Sequence, residues 1–561
     1  MTSNADITGV TSTRRHQAFP RLSDWDIQRM EPFATRHTYE RGTLIAHAGE
    51  PVPGLYIVLR GRVQVVQRDG MGHVTPVVEH GPGNFGGEMN TMTGRPSLVD
   101  AIALEQVDLL LVPPAQVRAL IIAHADLGER LVRALILRRV GLLEQGATGP
   151  VLIGEPDTPA MLRLQRFLHA NGEPCRVIGI REDETAAALS LQYGAAPGDA
   201  VVVCPDGSVL VNPSEAALAR CIGMVDTRDR HETYDVAVIG AGPAGLSTAV
   251  YAASEGLRVV VADRLAYGGQ AGASARIENY LGFPTGISGA ALTGRACVQA
   301  EKFGAELLIP VEVQSLDCSR SGPERALEVH LGDNRRLRAR TVVIASGARY
   351  RRLGVDQLAA FEGRGIWYWA TALEAALCAK SEVVVVGGGN SAGQAAVFLS
   401  QHASRVHVLV RGPGLRESMS QYLMDRINAA PTIMLWPHTE VTHLHGDATG
   451  SLEAVTWRNH RTGESERRAV RNLFLFVGAD PATHWLDSSS IDLDGNRFVR
   501  TGSATVRAPG EAPAAGLESN VPGVFAVGDV RAGSTKRVGS AIGEGAAVVA
   551  QIHQFLAAHA A

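Results

Sequence analysis

The sequence predicts a multidomain α/β protein with an all-β module at its front. Three observations predict it. Two apolar strands, Val236–Ile239 and Val383–Val386, each run into a glycine-rich turn and then a helical segment. From Phe33 to about Pro114 the chain is instead a series of short alternating strands broken by glycines. Finally, 561 residues exceed what one core organises; at roughly 100–200 residues per domain, three to five are expected.

In chain order, residues 1–19 are polar and read as a disordered leader. Residues 20–148 read as a β-roll with a connecting helix. Leu55 to Val66 is a strand, a turn at Gly61 and a second strand, and Pro114 to about Glu144 carries apolar residues at helical spacing. Residues 151–225 form a small α/β unit, and the charged run within 226–233 is a linker. Everything from Tyr234 onward alternates strand and helix.

Several function classes are excluded early. A net charge of −4 leaves no basic footprint for nucleic acid and no polybasic patch for a membrane surface. No signal peptide opens the chain, and no apolar run reaches the ~18 residues needed to span a bilayer. A cytoplasmic protein is expected. The six cysteines, Cys175, Cys204, Cys221, Cys297, Cys318 and Cys378, contain no C-x-x-C pair. Neither a zinc site nor a local redox dithiol is available, and each is expected to be a small core residue.

The glycine turns carry the chemistry. Gly240-Ala-Gly242-Pro243-Ala244-Gly245 comes after a strand, opens a helix, and is succeeded by a second strand ending at Asp263. This is the Rossmann dinucleotide fingerprint. The first glycine makes the turn, the second admits the pyrophosphate, the third lets helix pack on strand, and the helix N-terminus faces the phosphates. Asp263 is placed to accept from a ribose 2′-hydroxyl, as the adenosine of FAD requires. The second fingerprint, Gly387-Gly-Gly389-Asn390-Ser391-Ala392, has alanine at the third small position. Its next strand ends at Arg411 rather than an acid, with Arg416 close behind. Arginine there favours a 2′-phosphate, hence NADPH over NADH; the plain alternative is that both are solvated surface charges.

From Tyr234 to Phe555 these residues resemble the low-molecular-weight thioredoxin reductase family. Further marks are Gly268-Gly269-Gln270, Ile277-Glu-Asn279, Ala345-Ser-Gly347, Gly523 through Gly528-Asp529, Lys536-Arg537-Val538 and Gly543-Glu-Gly545. The resemblance implies two Rossmann-like modules of the pyridine nucleotide-disulfide reductase type. An FAD module over 234–350 and 481–561 is interrupted by an NADPH module over 351–480. It also implies that Gly269, Gln270, Asn279 and Ala345 lie on the flavin nucleotide and that Gly528 and Asp529 hold the ribityl chain. Arg537 and Val538 then approach the ring, and the protein is a homodimer.

The resemblance breaks at one point. The family carries C-A-T-C shortly before its second fingerprint, whereas here Trp369-Ala370-Thr371-Ala372 stands in that place. Tryptophan and alanine cannot exchange thiol for disulfide, so the family's internal electron relay is missing. The adjoining Trp367-Tyr368-Trp369 cluster is either interdomain packing or a cover over the flavin that shapes access for another acceptor. Thioredoxin-reductase-like ferredoxin–NADP reductases also lack the dithiol.

The front modules resemble two further families. Residues 33–114 are similar to a cyclic-nucleotide-binding β-roll, through the strand pair around Gly61 and Phe85-Gly86-Gly87-Glu88. The resemblance implies that Glu88 binds a ribose 2′-hydroxyl. The arginine that would pair with the cyclic phosphate is replaced at Ser97 and Leu98, leaving Arg95 as the nearest cation. Glu88, Arg95 and Ser97 are thus a candidate effector site; a scaffolding module is the alternative. Residues 151–224 look like a thioredoxin- or glutaredoxin-type fold whose C-x-x-C is replaced by Asp157-Thr-Pro-Ala160, which points to docking rather than redox chemistry.

Together these features point to an FAD- and NADPH-dependent oxidoreductase with a small-molecule or protein electron acceptor and no catalytic dithiol. Two alternatives stay open: a thioredoxin-disulfide reductase using cysteines from elsewhere, such as Cys175 or Cys204, and a redox sensor that binds FAD and NADPH without significant turnover.

Overall fold

The computed structural model describes residues 14–69, 71, 73–87, 91, 96–145, 149–225, 230–321, 326–448, 450–506 and 513–559. The chain divides into two compact units, Met1–Arg228 with Glu301–Phe303, and Asp229–Ala300 with Gly304–Ala561.

In the first unit, packed structure starts earlier than the sequence suggests. Arg15–Ala18 is a helical turn and Ala18 is fully buried, so the packed chain begins inside the segment read as leader. The roll consists of two four-stranded sheets. One has the order Thr35–Tyr39, Val107–Val112, Leu55–Arg60, Phe85–Gly86; the other Leu44–Ala46, Asp100–Ala103, Val63–Arg68, Val74–His80. Tyr56, Val58 and Val63 are buried in one core cluster, and Leu55 and Ile57, on the other face of the strand Leu55–Arg60, are fully buried as well. The expected long helix is two, Pro114–Ala123 and Ala125–Gln145, because His124 leaves helical geometry at φ −129°, ψ 79°.

Residues 149–225 form a second core. Val151–Ile153 pairs in parallel with Arg176–Ile178 and antiparallel with Val201–Val203, which turns back onto Val209–Val211. Helices Pro159–Ala170, Glu184–Gln192 and Glu215–Cys221 complete it, each started by a side-chain cap from Thr158, Asp183 or Ser214. Cys204 and Cys221 are joined in a disulfide with Cα atoms 5.5 Å apart. This corrects the expectation of six single core cysteines: a turn and a helix bring together two thiols that spacing alone kept separate. Cys175, Cys297, Cys318 and Cys378 are free.

The second unit holds two sheets built on parallel strands. The first runs Glu306–Leu308, Val259–Ala262, Thr233–Ile239, Arg336–Ile344, Ala326–Leu331, Val313–Ser321, with Val524–Ala526 paired to Arg336–Ile344. The strand Thr233–Ile239 thus starts within the segment read as linker. The second sheet is wholly parallel: Ile366–Trp367, Leu473–Leu475, Glu382–Val386, Arg405–Val410, Ile433–Pro437. Chain leaves and re-enters the first sheet's module through the antiparallel pair Ala348–Tyr350 and Ala479–Pro481, next to an Arg351–Asp480 ion pair at 2.7 Å.

The parallel strands read as unbroken valine runs because both faces are covered. Val236, Ala237 and Val238 are fully buried, as are Val383, Val384 and Val385. In the second sheet His407 is fully buried, with Nδ1 receiving the Trp436 indole N–H at 3.1 Å and Nε2 on Glu382 at 3.0 Å. Indole nitrogen only donates, so Nδ1 is the acceptor and Nε2 carries the proton.

Candidate functional site: two glycine loops and the Gly528–Val530 turn

At the first loop, geometry separates the three glycines. Gly240 has φ +113°, and a Cβ there would lie 2.3 Å from the Ala345 carbonyl oxygen. A Cβ at Gly245 would lie 1.9 Å from Gly240 O, so that glycine lets the helix Pro243–Ser254 press onto the turn. A Cβ at Gly242 would meet only the Gly269 Cα, at 4.0 Å. The open side of the loop is therefore at the helix N-terminus, where a pyrophosphate is favoured. Pro243 stands at the first helical turn, and Ala244 beside it is buried.

Asp263 differs from its simplest reading. One oxygen accepts from Ala241 N at 2.8 Å, and the other from Leu265 N at 2.9 Å and Ala266 N at 3.2 Å. Burial nonetheless pushes its pKa up. The carboxylate braces the loop first; its remaining lone pairs are what a ribose could use.

Gly269, Gln270 and Ala345 gather around the same turn. Gly268 N donates to Ala241 O at 2.7 Å, the Gln270 amide donates to Ala348 O, and Ala345 N donates to Ile239 O at 2.8 Å. Asn279 is exposed beside Glu278, which pairs with Arg426 at 2.6 Å.

Gly528 and Asp529 sit on the short turn Gly528–Val530, which packs against the long helix Val538–Ala558. Glu544 fixes that turn: Oε2 accepts from Gly528 N at 2.7 Å, and the carboxylate pairs with Arg531 at 2.6 Å. The Asp529 backbone carbonyl accepts from Lys536 Nζ at 2.5 Å, while its side chain is raised in pKa, chiefly by burial. Tyr350 lies close enough to Asp529 to feel its charge, and its own pKa is pushed up to about 12, chiefly by burial. Arg537 stands at the N-cap of the long helix and is exposed, with Val538 half-buried behind it. Glu544 and Tyr350 were missed as site residues in the sequence; the Gly543-Glu-Gly545 mark held the first in plain view.

The second loop repeats the plan. A Cβ on Gly387 would lie 2.4 Å from Phe476 O, whereas one on Gly389 meets nothing within 4 Å. The helix Asn390–Leu399 begins there, with Ala392 fully buried and Ser391 exposed. Asn390 Oδ1 accepts from Ser420 N at 2.8 Å, and Ser418 Oγ donates to Gly388 O at 2.8 Å, tying the loop to the segment after Arg411 and Arg416. Both arginines are exposed and make no ion pair among the described residues.

The aromatic cluster divides. Trp367 is core: 3% exposed, its indole donates to Asn472 Oδ1 at 2.8 Å. Tyr368 donates to Glu362 and stacks at 6.3 Å on Tyr350, the residue beside Asp529. Trp369 donates to Glu374 Oε1 at 3.2 Å, and Glu374, fully buried, closes a capping box with Thr371 on the helix that starts at Ala372. Cys378 is fully buried and pushed up to about 12 by burial and then by Glu374, so it is an inert thiol.

In the roll, Glu88 and Arg95 lie outside the described residues. Ser97 is buried, and its hydroxyl donates to Val99 O at 2.8 Å. Nearby Asp100 accepts from Ala48 N at 2.8 Å and pairs with His47 and Arg68.

Two open glycine loops, each at a helix N-terminus beside a parallel strand, define a protein that binds two dinucleotides. The comparisons give the class: residues 234–545 match the pyridine nucleotide-disulphide oxidoreductase model, and the chain belongs to that family of FAD-dependent enzymes. Residues 36–124 match the cyclic nucleotide-binding domain model.

Within the family, the chain is 34% identical over 328 residues to a thioredoxin reductase of Streptomyces clavuligerus, covering 58% of this chain and 94% of that one. It is 31% identical to NADPH-dependent thioredoxin reductase 3 of Arabidopsis thaliana, over 57% of this chain and 58% of the relative. The crystal structure of Lactococcus lactis thioredoxin reductase superposes with a TM-score of 0.52 at 26% identity, covering 58% of this chain and 100% of that one. The protein is thus a thioredoxin reductase-like oxidoreductase, and members of that group use FAD and NADPH. Among the described residues no helix is long and apolar enough to cross a membrane.

Proposed function

We propose that this protein takes electrons from NADPH through FAD and delivers them to an acceptor other than a dithiol of its own NADPH module. The observation that carries the reading is the pair Trp369 and Ala372: the nucleotide loops are complete, while the positions of the family's relay cysteines hold an indole and a methyl group. FAD, when bound, supplies hydride acceptance and onward electron transfer. The chain's own part is to bind, align and exclude water. Gly240, Gly242 and Gly245 seat the flavin's pyrophosphate, Asp529 the ribityl chain, and Gln270 and Asn279 the remaining nucleotide. Gly387, Gly389 and Ala392 seat the second pyrophosphate, and Arg411 with Arg416 pairs with the 2′-phosphate. Tyr350 and Tyr368 form a stacked aromatic wall beside Asp529. The acceptor is a small molecule or an electron-carrier protein. The first unit modulates the reaction, and the enzyme works in the cytoplasm as a homodimer.

Anaerobic stopped-flow mixing with NADPH tests the core of this. The expected result is rapid bleaching of the flavin, with no turnover when oxidised thioredoxin is the acceptor. Absence of bleaching overturns the enzyme reading in favour of the sensor; turnover with thioredoxin overturns the acceptor assignment.

The Cys204–Cys221 disulfide favours a second reading, in which this cystine receives the electrons. The balance is one NADPH and one proton consumed per disulfide opened to two thiols. Titrating free thiols after anaerobic NADPH addition decides it: two new thiols per chain, lost in Cys204→Ser/Cys221→Ser, support it, and an unchanged thiol count rejects it.

A further inference from the structure

Inside the β-roll lies a cavity of ≈ 70 Å³, lined by both sheets and by the helix Ala125–Gln145. That is several times the ~10–15 Å³ that one water occupies. Its walls are mainly aliphatic, Val65, Val77, Val99 and Ala101 among them, yet besides Ser97 three larger polar groups reach it. Tyr56 is 3% exposed, and its hydroxyl has no hydrogen-bond partner among the described residues. His80 is equally buried and is held neutral, its pKa pushed down to about 3 by burial and then by the charge of Arg138.

Arg138 is the third. It is 8% exposed, lies 4.4 Å from the Phe85 ring centroid, and donates to the carbonyls of Ala18 (2.8 Å), Phe85 (3.0 Å) and Gly87 (3.1 Å). Those acceptors are neutral. No carboxylate among the described residues pairs with it, and its fork of five N–H groups retains two. A buried cation without counter-charge is costly, and so is a buried hydroxyl without a partner. A single anionic group placed between them relieves both. Among the described residues the aliphatic walls leave few partners for a sugar and a base, and Ser97 stands where the cyclic-nucleotide family presents a cation.

We propose that this cavity is a binding site for a small monocarboxylate with an apolar body, an aromatic or branched aliphatic acid, whose carboxylate pairs with Arg138 and accepts from the Tyr56 hydroxyl. The proposal stands apart from the reductase reading, since its test is binding rather than turnover. Isothermal titration of the full-length protein compares phenylacetate, its neutral amide and cyclic AMP, with flavin absorbance as the check that the second unit is intact. The acid is expected to bind at least ~10-fold more tightly than the amide, as a charge-assisted contact requires. Arg138→Met removes that preference. Tyr56→Phe, which leaves the carbonyl contacts of Arg138 alone, weakens acid binding by about threefold to tenfold while the ligand-free protein melts no lower. Equal binding of acid and amide, tighter binding of cyclic AMP than of the acid, or no binding at millimolar acid each overturns the proposal.

Discussion

The two dinucleotide loops share a backbone plan and differ in the side chain placed just past their second strand. In the first module that position is Asp263, folded back on three backbone N–H groups. In the other module it is Arg411, exposed and without an ion pair among the described residues, with Arg416 beside it. An acid at this position suits a free ribose 2′-hydroxyl, whereas a cation suits a 2′-phosphate. Glycines fix where a pyrophosphate sits, while one side chain per module decides which nucleotide it belongs to.

Breaking the loops should show the contrast most strongly. Gly245→Val puts side-chain atoms where even a Cβ would be 1.9 Å from Gly240 O, so the purified protein is expected to lack FAD, read as absorbance at the flavin band per chain. Gly389→Ala, with open space around its Cβ, should retain FAD and its melting temperature and lose only NADPH affinity. Asp529→Ala comes next: losing a charged acceptor on the ribityl chain is expected to cost about 1.5–3 kcal/mol of flavin binding, measured by fluorescence on dilution.

Arg411→Ala sharpens the other side of the comparison. The KM for NADPH should rise about tenfold, while that for NADH moves less than about twofold, because only the 2′-phosphate is lost. Equal changes for both nucleotides would return Arg411 to a solvated surface role.

A further effect concerns pH. His80 is held well below its ordinary range, down to about 3, so below about pH 6.5 the unfolded chain binds a proton that the folded one refuses. Stability is therefore full above 6.5 and falls as pH drops toward 3, by at most about 1.4 kcal/mol per pH unit from this group. Buried His407 is lowered too, first by burial, and pushes the second unit in the same direction. His80→Leu should flatten the acid slope of the first unit's melting temperature and leave that of the second unchanged.

Much of this protein was legible before folding because it is local. A parallel strand buried on both faces must be a valine run, and a turn that brings helix, strand and pyrophosphate together must be glycine; both show in Val236–Gly245 and Val383–Ala392. The missing dithiol was equally plain, since chemistry that needs sulfur cannot hide in Trp369 and Ala372.

What only the tertiary structure decided lies in pairings between distant residues. Cys204 meets Cys221 because a hairpin and a helix pack on one core. Glu544 reaches back to Gly528 from the long helix, and Tyr350 meets Tyr368 from another module. Asp263 turned out to brace its own loop, and Arg138 entered the roll 43 residues beyond the candidate at Arg95 (138 − 95). Sequence determines which groups can turn, cap or titrate, because those properties belong to a residue and its neighbours. Which buried charge faces which cavity depends on the sum of packing over the whole unit, and no local pattern carries that sum.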